Sequence, residues 1–422
     1  MALSKKPVTG MKDILPKEME IRDHVIRVIK DTYRKFGFTS IETPCMENIE
    51  NLTNKQGGEN EKLIFKVLKR GEKLDLNKAE NEADLCDLGL RYDLTVPLVR
   101  FYSNNSANLP SPFKSLQIGP SFRAERPQRG RFRQFYQCDI DILGDPSNLA
   151  EIELITATTT CLGNLGFKNF EIRINDRRIL KAMASYAGFE EESFDEVFIT
   201  LDKMDKIGLD GVKEELLSQG YDKEKIEKYV SLFAGVDGKT SLEALKFIAD
   251  TIGDYMDESV KNWLDEIMMS VDAAKAAQFE IVFDPTLVRG MSYYTGTIFE
   301  IAIPEFGGSC GGGGRYDKMV GKFTGQETPA VGFSIGFERI VMLLLEQDYQ
   351  IEDQGKKIAF LIEKNMPSDR LSAIMKEATD LRNEGNIVLI SRMNKNKKFQ
   401  KEQLEAQGYN EFKDFYVDAL KN

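Results

Sequence analysis

Apolar positions recur at helical spacing over residues 17–36, where Ile21, Val25, Val28, Ile29, Thr32 and Phe36 share one face and Gly37 ends the run. "FTSIETP" then alternates as a strand that stops at Pro44. "IFKVLKRGEKLDL" predicts strand, turn and strand about Gly71, and "GLRYDLTVPLVRFY" predicts a strand or turn leading into a helix, with Thr95 as cap before Pro97. Two β-rich runs, "FKSLQIGPSFRAE" and "FRQFYQCDIDILG", flank the polar "RPQRGR" and predict a hairpin. A helix over "NLAEIELITATTTCLGNLGF" and a strand at "FEIRIND" follow.

The period changes near residue 176. Helical spacing with acidic faces runs to about 275, as expected of a helical module inserted between two halves of a β-rich domain. Strand character returns at "FEIVFDPTLVRGMSYYTGTIFEIAI", before the glycine-rich "GGSCGGGGRYD" and a strand and helix over "AVGFSIGFERIVMLLLEQ". Residues 357–390 read as a separate βαβ unit, with Ser368 capping its helix and Gly385 closing it. A helix carrying Lys395, Lys397, Lys398 and Lys401 comes last. The expected class is α+β, with one domain over 1–350 and a second over 355–422.

Composition narrows the chemistry. The 422 residues exceed one ordinary domain, and 41% hydrophobic with 30% charged residues is a soluble globular balance. No apolar run reaches membrane-spanning length, and the first residues lack the apolar stretch of a secretory signal. The five cysteines are scattered without CxxC spacing, so neither a zinc site nor a disulfide framework is indicated. A cytoplasmic protein with reduced thiols is expected. There is one histidine, His24, on the first helix, which disfavours histidine-based catalysis. Residues 201–272 account for −8 of the net charge of −11, so the overall sign says little about partners elsewhere.

Against that background, "FRAERPQRGRFRQFYQ" sets five arginines between Arg123 and Arg133. A solvated turn is the plain explanation. However, Arg123 sits inside an apolar-alternating strand, beside Phe122, and Glu125 follows two residues later on the same face of that strand by the period of two. Arginine suits bidentate recognition of phosphate or carboxylate. On the return strand Phe135, Gln137, Asp139 and Asp141 share a face, so Gln137 and Asp141 are candidates to line a pocket floored by Phe135. Arg289 precedes Gly290 and the pair Tyr293–Tyr294, which either packs or lines a pocket. The six glycines of 307–314 lack a GK[ST] ending and are not a P-loop; a flexible loop and a platform for a flat ligand both remain open. Arg339 stands at a strand-to-helix junction. Three separated arginines on β-rich segments suit a heavily anionic ligand, and ATP reacting with a carboxylate fits. Fixed cations oppose the charge that grows on the α-phosphate, positioning supplies much of the rest, and a carboxylate nucleophile needs no histidine base.

The motifs resemble the histidyl-tRNA synthetase family of class II aminoacyl-tRNA synthetases over nearly the whole chain. "GMKDILP" looks like the family's opening, and the helix and strand ending at Pro44 like motif 1, which builds a dimer interface. "FRAERPQRGRFRQFYQ" looks like motif 2 and "GFSIGFERI" like motif 3. "LRYDLTVPLVR" and "LVRGMSYYTGTIFE" resemble the family's histidine-binding segments, the former in its archaeal and eukaryotic form. The resemblance implies a class II antiparallel catalytic sheet with a helical insertion, plus a small C-terminal α/β anticodon-binding-like domain. It implies activation of L-histidine with ATP and Mg²⁺, transfer to histidine tRNA, and a homodimer. Arg123, Arg289 and Arg339 would be catalytic, Arg123 and Arg289 at the α-phosphate and Arg339 at the γ-phosphate. Asp93, Thr95 and Gln137 would hold the amino end of histidine, and Asp141 and Tyr294, with Tyr293 adjoining, its ring. Glu125, Arg131 and Phe135 would join Arg123 and Arg339 around ATP. Gln128 and Arg129 would reach the tRNA acceptor end, and the inserted helices would lie along the acceptor arm. No metal ligands are assigned.

Three features depart from the family pattern. Ser292 stands where Asp is usual, Gly312 replaces a common alanine, and the C-terminal domain is short, without a final strand. The regulatory subunit of ATP phosphoribosyltransferase shares the catalytic fold, but normally has an eroded motif 2 and no anticodon domain. A nucleic-acid module without chemistry leaves Asp93, Gln137 and Asp141 unexplained.

Overall fold

The computed structural model describes residues 3–53, 60–289, 293–351 and 355–418. The chain divides into two compact units, residues 1–14 with 25–346, and residues 15–24 with 347–422. In chain order the strands are β1 (Thr39–Ile41), β2 (Met46–Asn48), β3 (Lys66–Leu68), β4 (Cys86–Leu90), β5 (Phe113–Phe122), β6 (Gln134–Leu143) and β7 (Phe170–Asp176). They continue as β8 (Phe279–Phe283), β9 (Thr297–Ile303), β10 (Gly308–Arg315), β11 (Ala330–Ile335), β12 (Lys357–Ile362), β13 (Ile387–Arg392) and β14 (Glu411–Phe415).

The larger unit is built on an eight-stranded sheet in the order β1-β5-β6-β11-β10-β9-β7-β8. The edge pairs β1–β5 and β7–β8 are parallel, and every other pair is antiparallel. β5 and β6 form the expected hairpin, from Phe113 opposite Leu143 to Phe122 opposite Gln134. One face is covered by the helix Leu149–Asn164, whose Leu154, Ile155, Ala157, Cys161 and Leu162 are buried. Val25, Ile29 and Tyr33 of the helix Pro16–Lys35 are buried too, one face of a 3.6-residue period. Across the other face the cross-strand register brings Asp139, Ser334, Gly312 and Glu300 into one row, and Asp141, Gly332 and Gly314 into the next. That face holds the site.

Six α-helices between Arg177 and Ala273 separate β7 from β8. Side-chain caps start several of them: Asp176, Asp222 and Asp257 each accept a backbone N–H of the first turn, and Thr240 with Glu243 forms a reciprocal capping box. Val197, Val212, Leu216, Tyr229, Leu245 and Leu264 fill the module's interior.

In the smaller unit β12 lies between β13 and β14, parallel to both. The run "KIAFLI" is apolar throughout because both faces are covered: Ile358, Phe360 and Ile362 pack with Ile374 and Ala378 of the helix Ser368–Asn383, and Ala359 and Leu361 with Leu404. His24 also falls here, its Nε2 3.2 Å from the Tyr349 hydroxyl.

Several local expectations change. Gly71 opens a 3-10 turn, Gly71–Lys73, and no second strand follows it directly; β3 pairs instead with β4. Thr95 is the first residue of its helix, and the side chain closing that helix end is Asp93, whose Oδ1 accepts the Val96 N–H at 3.0 Å. Ser368 likewise lies inside its helix, with Pro367 before it and no side-chain cap. β14 is a third strand in the C-terminal unit, where none was expected. Finally, the glycine run is a strand, β10, paired on both sides.

Candidate active site

The β5–β6 hairpin brings Arg123 to the end of its ladder. Arg123 lies one residue beyond β5, yet its N–H still bonds the Arg133 carbonyl at 2.9 Å. Its guanidinium carbon lies 4.2 Å from the centre of the Tyr92 ring and 5.0 Å from that of Phe135. Nε donates to the Tyr92 carbonyl at 3.1 Å, and Arg123 makes no ion pair among the described residues. Aromatic faces thus hold a cation in place while leaving the rest of its fork unspent.

Arg289 approaches from the opposite side with a left-handed backbone, φ 61°. Its Nη1 donates to Glu300 Oε2 at 2.7 Å, and its Nε is buried without an acceptor. Gly312 makes that approach possible, because a Cβ there would fall 2.8 Å from the Arg289 guanidinium. Gly290 and Ser292 lie outside the described residues. Arg339, in the first turn of the helix Phe337–Glu346, donates through Nη1 to the Ser309 carbonyl. Burial and the neighbouring Arg131 cation lower its pKa, so an anion arriving there relieves a real electrostatic cost.

The same cavity also carries buried acids. Asp93, Asp139 and Asp141 are each more than nine-tenths buried. Burial pushes the Asp139 carboxyl up to about 7, and raises those of Asp93 and Asp141 as well. The Tyr316 hydroxyl donates to Asp141 Oδ1 at 2.6 Å, and Gln137 Nε2 donates to Asp139 Oδ2 at 3.2 Å. Two acceptors lining this cavity, Asp93 Oδ2 and Gln137 Oε1, have no hydrogen-bond partner among the described residues. Buried acceptors of this kind call for a donor. Tyr293 and Tyr294 stand with ring centres 4.8 Å apart.

All of these groups line one cavity of about 540 Å³, which also reaches Glu125, Arg131 and Phe135. Glu125 and Arg131 face each other at 3.4 Å. The remaining two candidates, Gln128 and Arg129, do not line it. They form the hairpin's exposed tip, a tight turn closed between Gln128 and Arg131, where Arg129 Nη2 binds both carboxylate oxygens of Glu346 at 2.9 and 2.8 Å. Arg133 ties the loop to the N-terminal segment, through the Glu125 and Thr9 carbonyls.

Residues not singled out from sequence also line the cavity: Asp139, Tyr316, Glu300, Ser309 and Asp202. Strand alternation already placed Asp139 beside Gln137 and Asp141. Asp202 follows the helix Phe194–Leu201, far along the chain, and no local pattern marks it.

A largely antiparallel sheet carrying an arginine beside a motif-2-type hairpin, a second arginine packed against a glycine strand and a third at a strand-to-helix junction defines a class II aminoacyl-tRNA synthetase fold. The profile described as Histidyl-tRNA synthetase matches residues 10–340. A histidine--tRNA ligase of Leifsonia xyli is 44% identical over 99% of this chain and 96% of its own length. One from Phocaeicola vulgatus is 38% identical over 80% of this chain and 76% of its own. The chain belongs to the histidyl-tRNA synthetase family. Among solved structures, the histidyl-tRNA synthetase of Nostoc superposes with TM-score 0.78 at 26% identity, covering 96% of this chain and 90% of that one. A Bacillus halodurans protein described as an ATP phosphoribosyltransferase regulatory subunit/histidyl-tRNA synthetase also gives TM-score 0.78, at 19% identity, and shares the fold.

Proposed function

We propose that the protein is a histidine–tRNA ligase that activates L-histidine with ATP and then transfers it to the 3′ end of histidine tRNA. The observation that carries this is the make-up of a single cavity, lined by three buried aspartate carboxyl groups and by three arginines. An amino acid with a cationic amino group and N–H-bearing ring suits the carboxyl groups, and a triphosphate suits the arginines.

In this reading Asp93 Oδ2 and Gln137 Oε1 accept from the α-ammonium group, with Thr95 beside them. Asp141 and Tyr294 meet the ring nitrogens, and Tyr293 closes that side. Arg123 and Arg289 flank the α-phosphate, Arg339 lies at the γ-phosphate, and Glu125, Arg131 and Phe135 complete the nucleotide site. The histidine carboxylate attacks the α-phosphorus, a new P–O bond forms, the bond to the β-phosphate's bridging oxygen breaks, and pyrophosphate leaves. Charge moves onto the α-phosphate oxygens in that step, where fixed guanidiniums need no reorganisation to meet it. The terminal ribose hydroxyl of tRNA then attacks the adenylate carbonyl and AMP departs.

Mg²⁺ typically takes one or two carboxylates plus substrate phosphates. Glu300 and Asp202, both lining the cavity near Arg289, are the fitting carboxylates, and the ion would neutralise phosphate charge there. Gln128 and Arg129 would meet the acceptor end, and the smaller unit would bind the anticodon. Of its basic helix, Lys397 and Lys401 are already paired with Asp414, which leaves fewer free cations for RNA than the sequence suggests. A homodimer fits the exposed Met46, Leu68 and Leu76 around the small sheet β2-β4-β3. No helix among the described residues is long and apolar enough to cross a membrane, and a cytoplasmic location is part of the proposal.

ATP–pyrophosphate exchange with a panel of amino acids tests the reading. Exchange dependent on histidine alone is expected. Absence of exchange, with stimulation of a phosphoribosyltransferase instead, would overturn it.

A further inference from the structure

The turn between β9 and β10 has no part in the chemistry above. Its backbone reverses tightly, with the Phe306 N–H on the Ile303 carbonyl at 3.0 Å and the Gly307 N–H on the Pro304 carbonyl at 3.1 Å. The Phe306 ring is half-buried and lies under two guanidiniums, Arg339 at 5.2 Å and Arg129 at 5.7 Å. Gly130, beside Arg129, packs so closely that a Cβ there would stand 3.1 Å from Arg339 Cγ and 3.5 Å from the Phe306 ring. Ser309, the second residue of β10 just past this turn, supplies the carbonyl that accepts from Arg339. Glu346, which holds Arg129, lies seven residues after Arg339 on one helix, about two turns along it.

Two cations do not gather on one ring without cause. The negative face of the ring attracts both, and Glu346 neutralises one. We propose that Phe306 is a positioning residue, setting the phosphate-directed Arg339 and the RNA-directed Arg129 against a single aromatic face, with Glu346 as the counter-ion that an RNA phosphate replaces. The hairpin tip and the nucleotide site are thereby coupled through one side chain: ordering Arg339 around ATP fixes the platform on which Arg129 waits, and the coupling is reciprocal. This rests on the roles proposed above for Arg129 and Arg339.

The test uses the full-length protein with Phe306→Leu, which keeps bulk but removes the ring, and Phe306→Tyr, which keeps the ring. Phe306→Leu is expected to raise the KM for ATP in exchange and the KM for tRNA in charging by about 3-fold each, with kcat for exchange changed less. Phe306→Tyr should match the wild type. Glu346→Gln should lower the KM for tRNA by about 2-fold. Unchanged KM values in Phe306→Leu, a Phe306→Tyr variant as impaired as Phe306→Leu, or a tRNA KM not lowered by Glu346→Gln would overturn the proposal. A wild type without histidine-dependent exchange would instead sink the functional reading, so the two failures are told apart.

Discussion

The Tyr316 hydroxyl donates to Asp141 Oδ1 at 2.6 Å, in the space left by Gly332, where a Cβ would lie 1.9 Å from that oxygen. One phenol thus fixes which way the carboxyl points and leaves its other oxygen for a ligand. Tyr316→Phe is expected to raise the KM for histidine about 5-fold and leave the KM for ATP unchanged, and Asp141→Ala to raise it about 10-fold or more. Exchange kinetics at varied histidine check both. Equal effects on ATP would place the pair elsewhere.

Arg289 is held by Glu300 at 2.7 Å, with Nε unpaired. Arg289→Ala should lower kcat for exchange by about 10²-fold or more while changing ATP affinity much less, because its contribution is largest where charge develops. Comparing pre-steady-state adenylate formation with ATP binding separates the two effects.

Asp139 carries a pH signature. Its carboxyl is pushed by burial from 3.8 to about 7, so between these values the folded, ligand-free protein holds a proton that the unfolded chain has lost. Stability from this group is therefore present below about pH 4 and lost as pH rises towards 7. Urea unfolding across that range should show a fall that Asp139→Asn flattens. An ammonium arriving nearby favours the charged form, so histidine binding near pH 6 should release protons, seen as a buffer-dependent binding enthalpy.

Away from the cavity, Arg315 binds Glu151 through two hydrogen bonds of 2.7 and 2.6 Å, with both side chains nearly inaccessible. Arg315→Met leaves a buried carboxylate alone and should cost about 3–5 kcal/mol of stability. Adding Glu151→Leu should recover much of it. Denaturant titration of the larger unit's transition is the measurement.

Much of the frame was legible from periodicity: the hairpin, the helical module and the first βαβ pair of the C-terminal unit follow from apolar spacing alone. The glycine strand was not, because a residue without a side chain carries no hydrophobic signal. β10 is a strand through its backbone pairing with β9 and β11, which no local pattern records. The helix cap at Asp93 rather than Thr95 had a similar cause: the two are close in sequence, and only backbone angles decide which side chain reaches Val96. Asp139, Ser334 and Glu300 come together through cross-strand register, as Asp202 does through the path of the helical module, so their shared cavity belongs to topology rather than to any motif.

β10 has a genetic consequence as well. A Cβ at Gly313 would fall 1.9 Å from the Gly332 carbonyl oxygen, and one at Gly314 2.6 Å from that of Thr297. Every amino-acid change reachable from a glycine codon by one nucleotide adds at least a methyl group. These two positions therefore have no mild mutational neighbours, and a gene under random mutagenesis should return them as an intolerant pair in the middle of the sheet, beside a Gly312 that accepts the alanine common in the family.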